Sequence, residues 1–283
     1  MTDGPPRIFD SHAQALRRAR AARMAGERFL FREAVEGIRA RLAPVNRTFA
    51  TALALDENAA EALQGVAATW RMGSFGPDER LDAADGGYDL AAGVLTLHGL
   101  NDLPGALVQI RRALKPDGLF LAALFGGATL FELRESFAAG EIATMGGVTP
   151  RVAPMADVRE LGALLQRAGF AMPVADVERT LVRYREFATL VSDLRLMGET
   201  NALAGRHKHL SRATLAAALA QYGAKHADAD GRLRATFDII YLTGWAPHES
   251  QPKPLRPGSA KARLADVLGT VEHPAGDNAK PKR

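Results

Sequence analysis

"YDLAAGVLTLHGLNDLPGALVQIRRALKPDGLFLAALFGGATLFELR", residues 88–134, decides the reading of this chain. Residues 88–97 form an apolar run of strand type, with no polar alternation to mark a wetted face. Residues 102–114 place Leu103, Leu107, Ile110 and Leu114 on one side of an amphipathic helix. Lys115-Pro116-Asp117-Gly118 has turn chemistry. A second apolar strand, 119–125, and a helix, 129–143, follow. Strands alternating with helices predict an α/β fold: a Rossmann-like, mainly parallel sheet with helices on both faces.

The pattern extends outward. Residues 11–43 read as helical, with Phe29, Leu30, Val35, Ile38 and Leu42 at helical spacing, and Pro44 ends the stretch. Residues 49–55 read as a strand, 58–68 as an Ala- and Glu-rich helix, and Gly73, Gly76 and Pro77 as a break. Beyond the Gly/Pro-rich loop 146–154, residues 157–170 read as a helix closed by Gly169. "VADVERTLVRY", 174–184, is a more polar strand suited to a sheet edge. Residues 185–230 interrupt the alternation with two helical stretches, and 234–247 return as a strand. The division is thus an N-terminal helical segment at 1–45 and an α/β domain at 46–247 with a helical insertion at 185–230. A proline-rich segment at 248–283 follows, with a short helix candidate at 260–268 and a disordered tail. The insertion is expected to cover the pocket side of the sheet.

The 283 residues contain no cysteine, which excludes disulfides, thiolate metal sites and a cysteine nucleophile. The net charge of +4 is a weak signal for nucleic acid, and the expectation is no nucleic-acid partner. Arg17, Arg18, Arg20 and Arg23 could grip an acidic partner, although a solvated helix face is the default for such a cluster. No apolar run reaches membrane-spanning length, and the start of the chain lacks the apolar core of a secretory signal, so a cytoplasmic location is expected.

Residues 88–134 resemble the segment from the fourth strand to the fifth helix of class I S-adenosylmethionine-dependent methyltransferases. The string "LHGLNDLPGAL…LKPDGLF…FGGATLFELR" is similar to a narrower group, the methyltransferase-like assembly factor of respiratory complex I and its alphaproteobacterial relatives. "IFD" at 8–10, "LLQRAGFAMPVADVE" at 164–178 and "GWAPHESQPKPLRPGSA" at 244–260 fit the same group. The malonyl-carrier-protein methyltransferase of biotin synthesis is a more distant cousin. The resemblance implies a seven-stranded, mainly parallel sheet with one antiparallel strand near the C-terminus. It also implies S-adenosylmethionine as cofactor and a protein partner, a respiratory complex I subunit, with the mitochondrial matrix as the alternative compartment.

Residues 50–80 depart from that pattern. A first strand in this family is followed by a Gly-x-Gly turn that brings backbone N–H groups to the ligand. Here Leu55 is followed by Asp56-Glu57-Asn58-Ala59-Ala60, and the next glycine is Gly65. Two further strands with their helices need roughly 50 residues before the fourth strand. Residues 56–87 supply 32, so one strand–helix step is shortened or lost. Either Leu53–Leu55 ends the first strand with its loop deleted, or "LALDENAAEAL" ends the second strand and Asp56 matches the ribose-binding acid.

The candidate cofactor-binding residues are Asp56, Asp78, Glu79, His98 and Asn101. Asp56 is by default the cap of the next helix, since Asp before an Ala-rich helix is a favoured N-cap. Asp78 and Glu79 match the family's acidic pair ahead of the fourth strand, where one would meet the adenine amino group, or they form a solvated turn. His98 follows a strand end, where open α/β sheets bind ligands, and is the candidate acid or base. Asn101 suits the N-cap of the helix after it. His207 and His209 with Lys208 do not make a metal site, and none is expected. Three functions remain: methyl transfer to a protein, a non-catalytic assembly chaperone or binding module, and another side-chain modification such as hydroxylation. The lost glycine turn predicts weak or absent S-adenosylmethionine binding.

Overall fold

The computed structural model describes residues 7–205, 209–252 and 269–270. The chain divides into two units, Met1–His248 and Glu249–Arg283. All elements below lie in the first. His207, Lys208, residues 253–260 of the proline-rich stretch, the 260–268 helix candidate and most of the tail lie outside the described residues.

The elements are α1 Ser11–Ala21, α2 Phe29–Leu42, β1 Phe49–Ala54, α3 Glu57–Ala62, β2 Ala67–Met72, β3 Tyr88–Val94, α4 Leu103–Ala113 and β4 Leu114–Phe125. They continue as α5 Phe131–Met145, α6 Val158–Arg167, β5 Ala171–Tyr184, α7 Phe187–Met197, α8 Arg212–His226 and β6 Leu233–Trp245. The sheet order is β2-β1-β3-β4-β6-β5. β2, β1, β3 and β4 run parallel, and β6 is antiparallel to both of its neighbours.

Period-two burial sorts the strands onto two cores. Leu90 and Ala92 of β3, Leu119, Leu121 and Ala123 of β4 and Phe237 and Ile239 of β6 pack with Leu30 and Ile38 of α2. Ala91, Phe120, Ala122, Leu124, Ile240 and Leu242 face the other way, onto Leu107 and Ile110 of α4 and Leu161 and Leu165 of α6. Both faces are covered, which is why these strands read as unbroken apolar runs.

Several local readings need correction. The 11–43 helix is two helices with a break at 22–28. The 58–68 helix stops at Ala62; Gly65 takes φ 85°, and Ala67–Met72 is the edge strand β2. β2 is half-buried at best, so it carries no apolar alternation to read. The Lys115–Gly118 turn is a bulge inside β4: Tyr88 pairs with Leu114 and Leu90 with Leu119. The expected cap of α4 is displaced by one residue, since Asp102, not Asn101, accepts from Gly105 N at 2.8 Å. The described sheet has six strands rather than seven, with no strand or helix between β2 and β3.

α5 and α8 cross closely at Gly140, where an added Cβ would lie 2.6 Å from the Ala218 backbone nitrogen. Backbone cannot yield as a side chain tip can. Gly140→Val is expected to cost about 1–3 kcal/mol by overpacking, read as a lower denaturant midpoint.

Candidate functional site

The strand order reverses between β1 and β3: β1 connects to β2 on one side, and β3 to β4 on the other. Ligands of open α/β sheets bind beyond the carboxyl ends of strands at such a point. A cavity of about 510 Å³ lies there, lined by Leu55–Asn58 after β1, Met72–Gly76 after β2 and Val94–Leu97 after β3. Ser11, Gln14 and Arg18 of α1 also line it.

Asp56 sits at the centre of this strand-end cluster. One carboxylate oxygen accepts from Asn58 N at 3.1 Å and Ala59 N at 2.9 Å, capping α3. The other accepts from Val94 N at 2.7 Å, tying the end of β1 to β3. Burial raises its pKa from 3.8 to about 6, against the lowering effect of the three N–H donors and Arg18. β1 pairs directly with β3, so it holds the place of the first strand, not the second. Asp56 therefore stands where the glycine turn would be, not at the end of a second strand.

The raised pKa sets a pH dependence. Between about pH 4 and 6 the folded protein keeps a proton that the unfolded chain has lost, so stability falls as pH rises through that window. Asp56→Asn keeps one acceptor oxygen that cannot ionise but turns a donor on one of the backbone N–H groups that Asp56 satisfies. It is expected to be less stable than the parent below pH 4, by a margin that shrinks by about 2–3 kcal/mol as pH rises to 7. A pH-independent difference in urea unfolding would refute this assignment.

Glu79 lines the same cavity, but its carboxylate accepts from Asn101 N at 2.7 Å, Asn101 Nδ2 at 2.8 Å and Asp102 N at 2.6 Å. Asp78 is exposed, pairs with Arg80 and lines neither this cavity nor the one below. Asn101 anchors the chain before α1, with its Oδ1 accepting from Ile8 N at 2.7 Å and Phe9 N at 2.8 Å. His98 is half-buried in a short 3-10 turn, Leu97–Gly99, with its ring edge-on to Phe125 and ring centroids 5.2 Å apart. Its Nε2 lies 3.0 Å from the carboxylate of Glu199, beyond α7. Burial pushes the Glu199 carboxyl up, but His98 and Arg18 outweigh it and hold the group below its usual range.

A second cavity of about 350 Å³ lies behind His98, lined mostly by apolar side chains from the end of β4, α5, the 151–155 loop and α7. Gln14, Arg18, Gly99 and Glu199 line both cavities. The 185–230 segment thus contributes Phe187, Val191, Leu194 and Glu199 to this wall. Glu199 was not legible as a partner of His98, because 101 residues separate the two. Among the described residues no group of three or more His, Asp or Glu side chains is placed to hold a metal ion. No described helix is long and apolar enough to cross a membrane.

The fold has solved counterparts. The YcgJ protein of Bacillus subtilis superposes with a TM-score of 0.50 at 13% identity, covering 75% of this chain and 99% of its own. A methyltransferase-fold protein from Bacillus halodurans C-125 gives 0.50 at 10% identity, covering 76% and 99%. The chain has the class I methyltransferase fold. Sequence relatives sharpen the placement within that fold. "Arginine-hydroxylase NDUFAF5, mitochondrial" of Danio rerio is 43% identical over 190 residues, 67% of this chain and 59% of its own length. The Homo sapiens protein of the same name is 42% identical over 196 residues, covering 69% and 56%. A malonyl-[acyl-carrier protein] O-methyltransferase of Laribacter hongkongensis is 38% identical over 170 residues, covering 60% and 54%. The chain spans about half the length of the curated relatives it matches. No family model matches it.

Proposed function

We propose that this class I methyltransferase fold serves respiratory complex I assembly by recognising a protein partner, and that it does so without holding S-adenosylmethionine at the end of β1. The observation that carries the reading is the self-occupied strand end. Asn58 N, Ala59 N and Val94 N, the backbone donors at the end of β1, are all satisfied by Asp56. The residues present do not fit the cofactor's carboxylate end: its donors are taken, and an anion stands in its place.

The protein partner and the complex come from the sequence resemblance, and the NDUFAF5 relatives carry the words arginine-hydroxylase and mitochondrial in their name. For this chain the cytoplasm is the proposed compartment, with the mitochondrial matrix as the alternative. Mass spectrometry of the denatured, freshly purified protein tests the cofactor reading. We expect neither S-adenosylmethionine nor its demethylated product; near-stoichiometric recovery of either would restore the methyltransferase reading. The relatives' name supports a second reading, hydroxylation of a protein arginine. A gain of one oxygen atom on an arginine of a complex I subunit, dependent on this protein, would establish it.

A further inference from the structure

We propose that the outward face of α1 is the docking site for the protein partner, and that the partner meets it with an acidic, partly apolar segment. The proposed surface rests on the chain acting as a partner-binding fold; cofactor recovery tests that role, and peptide binding tests the surface.

Charge is spread unevenly along the chain. Residues 7–32 hold seven arginines against Asp10 and Glu27, a net charge of +5, while the whole chain carries only +4. The excess is local, and the rest of the chain is close to neutral in sum. α1 divides its arginines between two sides. Ser11, Gln14 and Arg18 turn inward and line the first cavity. Leu16, Arg17, Arg23 and Met24 each lie three or four residues from Arg20 and make a second stripe with it. The turn carries on past the helix end, with Arg23 N donating to Arg20 O at 3.1 Å and Met24 N to Ala21 O at 3.0 Å.

This stripe is open and uncompensated. Arg20 and Arg23 are exposed, Arg17 is half-buried, and Leu16 and Met24 are 47% and 41% exposed. Asp10 caps α1 and Glu27 pairs with Arg32, so neither acid neutralises the stripe. Among the described residues no ion pair joins Arg17, Arg20 or Arg23 to an acid. Like charges three residues apart on a helix repel, so the stripe costs stability that an acidic partner offsets. A lipid surface suits it less. A helix adsorbed on a membrane needs a continuous apolar face, whereas here Leu16 and Met24 flank three arginines.

A fluorescein-labelled, glutamate-rich peptide with leucines four residues apart is a suitable probe, with its glutamine-for-glutamate counterpart as control. Both are titrated into the full chain by fluorescence anisotropy at low salt. We expect the acidic peptide to bind and the neutral one not to, with affinity falling as salt rises. The triple variant Arg17→Gln, Arg20→Gln, Arg23→Gln should weaken binding about tenfold. The same charge removed at exposed arginines away from α1, by Arg159→Gln, Arg167→Gln and Arg185→Gln, should change it less than about twofold. Leu16→Ser should weaken it about threefold without altering its salt dependence. No binding of the acidic peptide, equal losses in the two triple variants, or binding to phosphatidylglycerol vesicles in preference to the peptide would overturn the proposal. Circular dichroism of each variant separates loss of the surface from loss of the fold.

Discussion

Arg151→Ala is expected to destabilise the protein by about 3–5 kcal/mol, the largest single-residue effect we anticipate. Glu141 on α5 is fully buried, at 0% side-chain exposure, and Arg151 is 14% exposed. Arg151 Nε donates to Glu141 at 2.7 Å, and Thr149 N also donates to this carboxylate. Removing the guanidinium leaves a carboxylate in the interior with the Thr149 N–H and no compensating charge. The pair also pins the 146–154 loop, whose residues from Arg151 onward line the second cavity. Replacing both partners with apolar side chains should recover most of the stability, because the cost lies in the stranded charge and not in the lost pair. A single-variant loss under 1 kcal/mol in urea unfolding would contradict the assignment.

The sequence revealed the fold where burial is two-sided and left it obscure where burial is partial. β3 and β4 announce themselves because both faces are covered, and α6 because Asp157 and Glu160 form a capping box ahead of its apolar stripe. β2 escaped notice because an edge strand with exposed alternate residues leaves no pattern in a run of alanines. The site was half legible. Asp56 was recognisable as both cap and ligand candidate, since both roles demand a carboxylate at that position. Its third bond, to Val94 N, depends on strand pairing 38 residues away and could not be read. The missing 20 or so residues between strands correctly signalled a lost unit. They did not show whether β1 was the first or the second strand; only its pairing with β3 settles that.

The second large effect concerns affinity for S-adenosylmethionine. With two or three backbone hydrogen bonds withheld, at about 0.5–1.5 kcal/mol each, binding is weakened by roughly 1–4.5 kcal/mol. That is about fivefold to more than a thousandfold in dissociation constant. At neutral pH the Asp56 carboxylate, with a pKa of about 6, is mostly ionised and adds repulsion toward the cofactor's own carboxylate. The central claim is therefore that the chain's own aspartate occupies the ligand's anion site, and calorimetric titration of the full chain with S-adenosylmethionine tests it most directly. The account predicts a dissociation constant near or above millimolar. A low-micromolar constant that is lost in Asp56→Ala would contradict it and make Asp56 a ligand of the cofactor.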